Sequence, residues 1–583
     1  MLLSPKLPLA SYKNLLTRYL KPQWHRVLLM TVLIFIYIGM QLVNPQILRY
    51  FIDTVIRGGN STALALVGLI FVGVTLATQL ISVLTTYLSE NVTWTATNRL
   101  RTDLVSHCLT LDIAFHKSRT PGELIERIDG DVNMLSSFFS ESIVHLLGNI
   151  ILILGVLILL SREDWRLGLA MTTFAIPTLF ILTLIHKYSI PCWIATRQKS
   201  ADFFGFLGEQ LMGTEDIRAN GATHYVMDRF FLLLRNWLPV HRKAILSNYS
   251  MVMTSLIAFG FGNALALALG AYLWSIHAIT LGTVYLIFYY TNLLNQPMDQ
   301  IRVQLQELQQ ARAGIERVQQ LFLTQTTIAN GIGNFLPSGA LSVEFNSVSF
   351  GYDSNDTALH NVNFYLKPGR VLGVLGRTGS GKTTLARLLL RLYDIQEGEI
   401  SLCNVPIRTV SLQNLRQHIG IVTQDVQLFQ ATVRDNLTFF NKSVSDKRIL
   451  EVLDDLTLSA WYSSLPMGLD TKLETDGVGL STGQAQLLAF ARVFLTNPGL
   501  VILDEASSHL DSLTEQLIKQ AESKLFNGRT GIIIAHHLSA VQNVDEIMIM
   551  ENGCIQEYGE RNVLAENQHS HFYHLLETDL KEV

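Results

Sequence analysis

Long uncharged apolar runs, separated by polar segments, dominate the first half of the chain. Each run reaches the about 20 residues that a helix needs to cross a bilayer. Because no small-residue cleavage site closes the first run, we interpret it as an anchor and not as a signal peptide. The pattern predicts six spans, at Val27–Leu48, Ala63–Leu88, Ser142–Ser161, Leu167–His186, Asn248–Trp274 and Leu281–Met298.

The segments that join the spans differ in length and charge. Two are long and rich in Lys and Arg, between the second and third spans and between the fourth and fifth, whereas the other three are short. Because positive loops stay in the cytosol, we expect the long loops and both termini to be cytoplasmic. Apolar residues at helical spacing predict that the long loops are helical and extend the spans. The expected location is the bacterial inner (plasma) membrane.

Composition agrees with a large membrane portion. Apolar residues make up 49% of the 583 residues, the mean hydropathy is +0.28, and only 16% of residues are charged, against about 25% in soluble proteins. The length predicts two or three domains, and the net charge of −4 gives no indication of nucleic-acid binding. Four widely separated cysteines predict neither a disulfide framework nor a metal site, but small buried side chains in a reducing compartment.

The second half of the chain contains a strand, a glycine-rich loop and a helix in immediate succession. Val371–Leu375 is an apolar run typical of a buried parallel strand, and Gly376–Thr383 reads G-x-x-x-x-G-K-T, a phosphate-binding loop. An incidental glycine-rich turn is the alternative, which the correct flanks disfavour. The predicted nucleotide ligands are Gly376, Arg377, Thr378, Gly379, Ser380, Gly381, Lys382, Thr383 and Thr384. Lys382 would reach the β- and γ-phosphates of a nucleoside triphosphate, and the Thr383 hydroxyl would bind Mg²⁺.

Two further apolar strands end in polar residues. Leu500–Leu503 leads into Asp504 and Glu505, at the end of a strand where phosphate sites open. Asp504 would hold Mg²⁺ through water, and Glu505 would orient or deprotonate the attacking water. Plain surface charge is the alternative reading of this acidic pair. A third strand ends at His536, which would contact the γ-phosphate or be merely structural.

The segment Leu480-Ser481-Thr482-Gly483-Gln484, together with the phosphate loop and Asp504-Glu505, resembles the ATP-binding cassette (ABC) transporters. The order of six spans followed by one cassette resembles a type I ABC exporter half-transporter. This resemblance implies an all-α six-helix transmembrane domain followed by an α/β P-loop cassette domain. The expected boundaries are 1–25 for a cytosolic segment, 26–323 for the transmembrane domain, 324–340 for a linker and 341–583 for the cassette.

The resemblance also implies roles for single residues. Tyr352 would stack on adenine, Gln424 would contact Mg²⁺ and sense the membrane domain, and Ser508–Asp511 would cross to a partner cassette. His536 resembles the switch histidine of the family. The signature residues Ser481, Thr482, Gly483 and Gln484 would contact ATP held by the opposite cassette.

Two cytosolic stretches, Phe115–Val132 and Gly205–Ala222, resemble the coupling helices that dock on the cassettes of such exporters. Simple packing of the two loops is the alternative.

Two positions depart from the family pattern. The signature is usually L-S-G-G-Q, with glycine where this chain has Thr482, and His537 stands where arginine is usual. Since the signature completes the partner's site, Thr482 would weaken that site and leave this chain's own residues intact. We therefore favour a heterodimer with a second ABC half-transporter, although a homodimer is also possible.

The resulting functional hypothesis is an ATPase that exports a substrate by alternating access. Peptide or lipid export instead of small-molecule export is an alternative within the family, and an ATP-gated channel or regulator is one outside it. Glu505 disfavours the gate, and six spans exclude a soluble mechanical ATPase. The substrate is expected to be amphipathic or apolar. Polar residues within the spans would line a cavity or bond between helices: Asn149, Asn263, Tyr289, Tyr290, Asn292 and Gln296.

Overall fold

The computed structural model describes residues 17–137, 143–331, 333–353, 356–474, 479–504, 512–535 and 537–582. The chain forms two compact units. The first comprises Met1–Leu109 and Pro121–Thr324, and the second comprises Thr110–Thr120 and Gln325–Val583. The described part of the first unit is helical, whereas the second combines two sheets with helices. This confirms the predicted fold class, a helical membrane portion followed by an α/β portion.

The helices up to residue 323 include several that are far longer than a membrane span. A 3₁₀ turn at Lys21–Gln23 precedes them, and a π-helical turn occupies Glu126–Gly130. They are α1 (Trp24–Ile56), α2 (Ser61–Thr110), α3 (Ile113–Lys117), α4 (Pro121–Ile125), α5 (Asp131–Ser137), α6 (Ile143–Glu163), α7 (Trp165–Met212), α8 (Thr214–Ala219), α9 (Thr223–Ser275), α10 (Leu281–Leu293) and α11 (Asn295–Leu323).

Three of these helices continue well past the predicted spans. Helices α2, α7 and α9 contain 50, 48 and 53 residues, so each is about 75 Å long, against about 30 Å for the hydrocarbon core. Much of the two long polar segments is thus helical, as their apolar spacing predicted. Within the described residues, five helical stretches are long and apolar enough to cross a membrane: Thr17–Ile56, Ser61–Thr110, His145–Glu163, Trp165–Met212 and Thr223–Ser275.

The sixth predicted span, Leu281–Met298, is helical with one interruption of the helical hydrogen bonding at Leu294, which keeps helical backbone angles. The structure divides it into α10 and α11, which meet at Leu294. Pro297 has no N–H to donate to the carbonyl group of Leu293, the last residue of α10. Prolines elsewhere lie inside α1, α7 and α9 without ending them. Here Asn292 and Asn295 also lower the helix propensity around the missing bond.

Three of the polar residues in the spans bond between helices. Tyr290 is fully buried, and its hydroxyl donates to the Leu42 carbonyl oxygen over 2.7 Å and accepts from the Gln46 amide over 3.2 Å. The Asn263 amide donates to the Asn292 side-chain oxygen over 3.0 Å. These bonds join α1 to α10 and α9 to α10, so hydrogen bonding between helices accounts for these residues.

The second unit is built on two sheets. The six-stranded sheet has the order β10-β9-β3-β8-β7-β6, and the four-stranded sheet has the order β2-β1-β4-β5. The strands are β1 (Val343–Asp353), β2 (Asp356–Leu366), β3 (Val371–Gly376), β4 (Glu397–Leu402), β5 (Val405–Pro406), β6 (Ile419–Val422), β7 (Leu500–Asp504), β8 (Thr530–Ile534), β9 (Glu546–Glu551) and β10 (Cys554–Glu560).

Helices cover the six-stranded sheet and join its strands. Two 3₁₀ turns, Gly468–Asp470 and Leu538–Val541, interrupt the connections. The helices are α12 (Lys382–Leu389), α13 (Leu412–His418), α14 (Val433–Thr438), α15 (Asp446–Asp455), α16 (Ser459–Ser463), α17 (Thr482–Thr496), α18 (Ser512–Phe526), α19 (Arg561–Glu566) and α20 (His571–Glu582).

The apolar residues of β3 point into two different cores. Leu372 and Val374 pack in one cluster with Ile502 and Ile532, whereas Leu375 packs in the other. Successive side chains of a strand point to opposite faces, so both faces of the sheet are covered. This is the arrangement that the uninterrupted apolar run of β3 predicted.

Part of the first predicted coupling region belongs to the second unit. Asp112, at the start of α3, accepts hydrogen bonds from the Thr327 N–H at 2.6 Å, from the Thr327 hydroxyl at 2.8 Å and from the Thr326 hydroxyl. Burial raises the pKa of Asp112, but these bonds outweigh burial, and the pKa is lowered. Asp112 therefore fixes α3 to the residues that follow α11. The region Gly205–Ala222 lies in the first unit.

We expect Glu522, on α18, to destabilise the second unit at alkaline pH. Burial raises its pKa from 4.5 to about 7. The neutral form is thus favoured on folding, and its contribution to stability is lost as the pH rises through about 7. At about pH 8.5, Glu522→Gln should raise the melting temperature of the full chain by about 2–4 °C, with little effect at about pH 5.5.

The matched control is Glu515→Gln on the same helix. Glu515 is partly exposed and pairs with Lys519 at 2.8 Å, so its loss should not give a gain that grows with pH. A pH-independent effect of Glu522→Gln, measured by thermal unfolding in detergent, would contradict the prediction.

Candidate nucleotide-binding site

Four parallel strands of the six-stranded sheet end at the same edge. In the register of the sheet, Val374 of β3 pairs with Ile534 of β8, which pairs with Asp504 of β7. Leu503 of β7 pairs in turn with Val422 of β6. The carboxyl ends of these strands therefore lie side by side, at the edge where open α/β sheets bind ligands.

The predicted site residues follow these strand ends. The glycine-rich loop begins at Gly376, the last residue of β3, and Asp504 is the last residue of β7. Gln424 comes two residues after β6 and is exposed. Glu505 and His536 follow β7 and β8 in sequence, but both lie outside the described residues, as does Ser508–Asp511.

Two glycines allow the loop its shape. A Cβ atom on Gly376 would lie 2.3 Å from the Met550 carbonyl oxygen, and one on Gly381 would lie 2.9 Å from the Ala358 carbonyl oxygen. Gly381 also has a φ of +101°, in the region that only glycine adopts readily. Larger side chains are thus excluded where the chain curls between β3 and α12.

Lys382 and Ser380 give this loop its polar interior. The buried Lys382 ammonium donates to the carbonyl oxygens of Gly376 at 2.6 Å and Arg377 at 3.1 Å. The Ser380 hydroxyl is buried and has no hydrogen-bond partner within the described residues. A buried hydroxyl without a partner costs about 1–3 kcal/mol, which a phosphate oxygen would relieve. These residues, at the amino end of α12, fit a phosphate chain.

The donor set for Mg²⁺ also fits its chemistry. Thr383 lies in the first turn of α12, and Asp504 is partly buried at the end of β7. Mg²⁺ prefers hard oxygen ligands and keeps several waters, so it needs only one or two carboxylates. Among the residues that the structure describes, no cluster of three or more His, Cys, Asp or Glu is placed to hold a metal. The predicted Mg²⁺ ligands are the Thr383 hydroxyl, the Gln424 amide and the Asp504 carboxylate. Because only Asp504 is one of these four residue types, the predicted set would not count as such a cluster.

Tyr352 lies beside α12, with two cations close to its ring. Its hydroxyl is 3.1 Å from the Thr384 hydroxyl and accepts from the Arg387 guanidinium at 3.0 Å. The Lys117 ammonium lies over the ring, 5.5 Å from its centre, and the Arg387 guanidinium lies 5.9 Å from it. The edges of Phe350 and Tyr393 meet the same ring. The exposed Tyr352 ring thus contacts two aromatic rings and lies close to two cations.

Sequence reasoning missed both cations. Arg387 is three residues after Thr384 and thus on the same face of α12, a spacing that could have indicated it. Lys117 lies in the short helix α3, more than 200 residues before Tyr352, and no spacing in the sequence relates the two.

The predicted signature forms the start of α17. The Ser481 hydroxyl accepts from the Gln484 N–H, and the Gln484 side-chain oxygen accepts from the Ser481 N–H, both at 3.1 Å. This reciprocal pair is a capping box. A Cβ atom on Gly483 would lie 2.0 Å from the Thr514 methyl group, so glycine is required there. Thr482, in contrast, is exposed, and its extra atoms face away from the described core.

Comparison with known proteins identifies two family matches. The model for the ABC transporter transmembrane region matches residues 27–298, and the model for the ABC transporter matches residues 359–508. The second match contains the glycine-rich loop, the signature and the end of β7.

Relatives similar over most of the chain carry several names. An ATP-dependent lipid A-core flippase of Alcanivorax borkumensis is 28% identical and covers 95% of each chain. A multidrug resistance ABC transporter ATP-binding and permease protein of Lactococcus lactis is 29% identical over 90% of this chain and 88% of its own. A fatty acid ABC transporter ATP-binding/permease protein of Mycobacterium bovis is 31% identical over 79% of this chain and 73% of its own.

Among solved structures, a bacterial Atm1-family ABC exporter with ATP bound matches with a TM-score of 0.79. The match covers 95% of this chain and 98% of the other, at 24% identity. At that identity the likeness establishes the fold alone.

We predict that Lys117 competes with the base of a nucleotide for the Tyr352 ring. An exposed cation over an aromatic ring contributes about 0.5–1 kcal/mol. Replacing Lys117 by Met should therefore strengthen ATP binding about two- to fivefold relative to inorganic tripolyphosphate, which has no base. Calorimetric titration of the full chain with both ligands gives this ratio.

Lys117→Arg serves as the control, because it keeps a cation over the ring and should leave the ratio unchanged. An equal change in the affinities for ATP and tripolyphosphate would refute a role at the base.

Proposed function

The chain belongs to the ABC transporters, and we propose that it is one half of a dimeric exporter that couples ATP hydrolysis to substrate export. One observation carries this proposal: a chain with membrane-spanning helices also gathers a phosphate loop and an acidic strand end at one sheet edge. We place the protein in the bacterial inner (plasma) membrane, with the ATP-binding unit and both termini in the cytoplasm.

ATP binding would use the residues of the glycine-rich loop. The Lys382 ammonium would exchange its carbonyl acceptors, on Gly376 and Arg377, for β- and γ-phosphate oxygens, and the Ser380 hydroxyl would gain a partner. Tyr352 would stack on the adenine. When bound, Mg²⁺ would neutralise negative charge on the β- and γ-phosphates; Thr383, Gln424 and Asp504 are the residues proposed to hold it.

Hydrolysis would depend on Glu505. Its carboxylate would accept a proton from a water molecule as the water oxygen attacks the γ-phosphorus. The bond between the γ-phosphorus and the bridging oxygen breaks, which releases ADP and inorganic phosphate. His536 would contact the γ-phosphate from the neighbouring strand end.

Dimerisation would complete each ATP site. The exposed amino end of α17, with Ser481, Thr482 and Gln484, would close on ATP held by the partner, and Ser508–Asp511 would cross between the cassettes. Because Thr482 takes the place of a glycine, it would crowd the partner's site. A second half-transporter with an unaltered signature would confine this defect to one of the two sites. We therefore propose a heterodimer.

ATP-driven closure of the cassettes would move the membrane helices through Phe115–Val132 and Gly205–Ala222, giving alternating access. Asp112 supports a mechanical role for the first region, because its hydrogen bonds to Thr326 and Thr327 fix α3 within the second unit.

We propose an amphipathic or apolar substrate. The predicted spans contain no formal charge, and an unpaired charge within a bilayer is costly. Among the relatives are a lipid A-core flippase, a fatty acid transporter and a multidrug resistance transporter, which supports a membrane-soluble substrate for this chain.

The catalytic assignment predicts different effects for two substitutions. Glu505→Gln should reduce turnover about 10²- to 10⁴-fold while ATP still binds, because only the proton acceptor is lost. Lys382→Ala should weaken ATP binding itself, because a charge-assisted contact to phosphate is lost. Phosphate release and nucleotide binding by the purified, paired transporter measure the two effects. Near-normal turnover by Glu505→Gln would exclude the assignment.

The dimer assignment predicts weak ATPase activity for this chain alone. In a homodimer, Thr482 would crowd both ATP sites. Thr482→Gly should therefore raise the rate of ATP hydrolysis severalfold, because the crowding is removed. Thr482→Val is the matched control: it keeps the branched side chain and should stay as slow as the unaltered chain. Vigorous, substrate-stimulated hydrolysis by the unaltered chain in lipid would instead establish a working homodimer.

A further inference from the structure

A cavity of about 230 Å³ lies inside the helical unit, between α1, α2, α6 and the junction of α10 with α11. Leu293, Gln296, Pro297 and Gln300 line it on both sides of the break at Leu294. The interrupted helix is therefore part of the cavity wall.

Five polar side chains around this cavity have no protein partner. Within the described residues, no hydrogen bond is made by the side chains of Tyr37, Gln41, Ser82, Gln296 or Gln300, all of which line the cavity. The Gln41 side-chain oxygen is buried as well. Leaving this buried oxygen without a partner costs about 1–3 kcal/mol. The other four side chains are partly or fully exposed, and polar residues within a membrane usually serve a function.

Other polar residues of the same wall are satisfied by the protein. The Thr85 hydroxyl donates to the Ile81 carbonyl oxygen at 2.7 Å. The Asn149 amide lies 3.4 Å from the Gln304 side-chain oxygen. Bonding within and between helices thus accounts for these groups, but leaves the five partnerless groups to a ligand or to water.

The rest of the lining indicates the class of that ligand. No Asp, Glu, Lys or Arg is among the lining residues that the structure describes, and His145 is the single lining side chain that can become cationic. An uncharged headgroup therefore suits this lining, because it needs no fixed counter-charge. Apolar side chains of Ile34, Ile38, Leu152 and Leu293 share the wall. The volume is below the about 300–1,000 Å³ of a pocket for a drug-sized molecule. The cavity therefore suits a small polar group joined to a hydrocarbon chain.

We propose that this cavity binds the uncharged, hydrogen-bonding headgroup of an amphipathic substrate, with Gln41, Gln296 and Gln300 as the recognising amides. A carboxamide or hydroxyl headgroup supplies the donors and acceptors that the five partnerless groups lack. Its role as a substrate site rests on the proposed export function, whereas its role as a headgroup site does not.

The test compares three probes with one hydrocarbon chain: oleamide, methyl oleate and oleate. Ser82→Cys, in the full chain in phosphatidylcholine nanodiscs at about pH 8 without nucleotide, is labelled with N-ethylmaleimide and followed by mass spectrometry of its peptide. Oleamide should protect Cys at this position at concentrations roughly tenfold lower than methyl oleate, which has no donor, or oleate, which is charged. Thr86→Cys provides a second reporter if the first variant does not fold, because Thr86 also lines the cavity but its hydroxyl donates to the Ser82 carbonyl oxygen and is not one of the recognising groups.

The recognising residue is tested in the same assay. Gln41→Met, which keeps the size of the side chain but removes its amide, should weaken protection by oleamide roughly tenfold and leave methyl oleate unaffected. Gln46→Met is the matched control on α1, because Gln46 donates to Tyr290 and does not line the cavity; it should behave like unaltered Gln46.

Equal protection by all three probes, preference for oleate, or unchanged protection in Gln41→Met would each overturn the proposal. Protection by none of them would leave the groups to water and would also overturn it. ATP-driven accumulation of oleamide is measured separately, in inverted vesicles that contain the paired transporter. Protection without accumulation counts against export and supports the headgroup site, whereas ATP-driven accumulation without protection counts against the headgroup site alone.

Discussion

The parallel hydrogen bonding of β3, β8, β7 and β6 is the constraint on which the ATP site depends. It brings four segments that are up to about 160 residues apart in sequence to one edge of one sheet. Because both faces of the sheet are buried, a shift of one residue would exchange the side chains of the two cores. Packing of Leu372, Val374 and Leu375 therefore fixes the register, and the positions of Gly376 and Asp504 follow from it.

The parts of the site that could be predicted from sequence are those whose chemistry is local. A phosphate loop needs its glycines, its lysine and its hydroxyl within eight consecutive residues, and the strand and helix beside it have apolar patterns of their own. The membrane spans could be predicted because a helix that crosses a bilayer needs about 20 consecutive residues without charge. The break at Leu294 could not be predicted, because it depends on Pro297 together with the weak helix formers around it. The contact of Lys117 with Tyr352 could not be predicted for another reason: the Lys117 ammonium lies over the Tyr352 ring only in the folded chain.

The polar residues within the spans show the same limit of prediction from sequence. Sequence alone left two roles open, bonding between helices or lining a cavity, because an amide group is identical in both. The fold separates them: Tyr290, Asn263 and Asn292 bond between helices, whereas Gln296 lines the cavity. The difference lies in whether a neighbouring helix presents a partner at hydrogen-bonding distance, and no periodicity encodes that distance.

The length of α9 has a mechanical consequence. At 53 residues it measures about 80 Å, so at least half of it extends beyond a hydrocarbon core of about 30 Å. A rod of this kind acts as a lever: tilting it by about 5° about a pivot in the bilayer displaces an end about 50 Å away by roughly 4 Å. Displacements of less than one helical turn at the polar end thus suffice to reorient the apolar end. Pro239, inside that lever arm, leaves one main-chain bond unmade and is the point where the arm is most compliant.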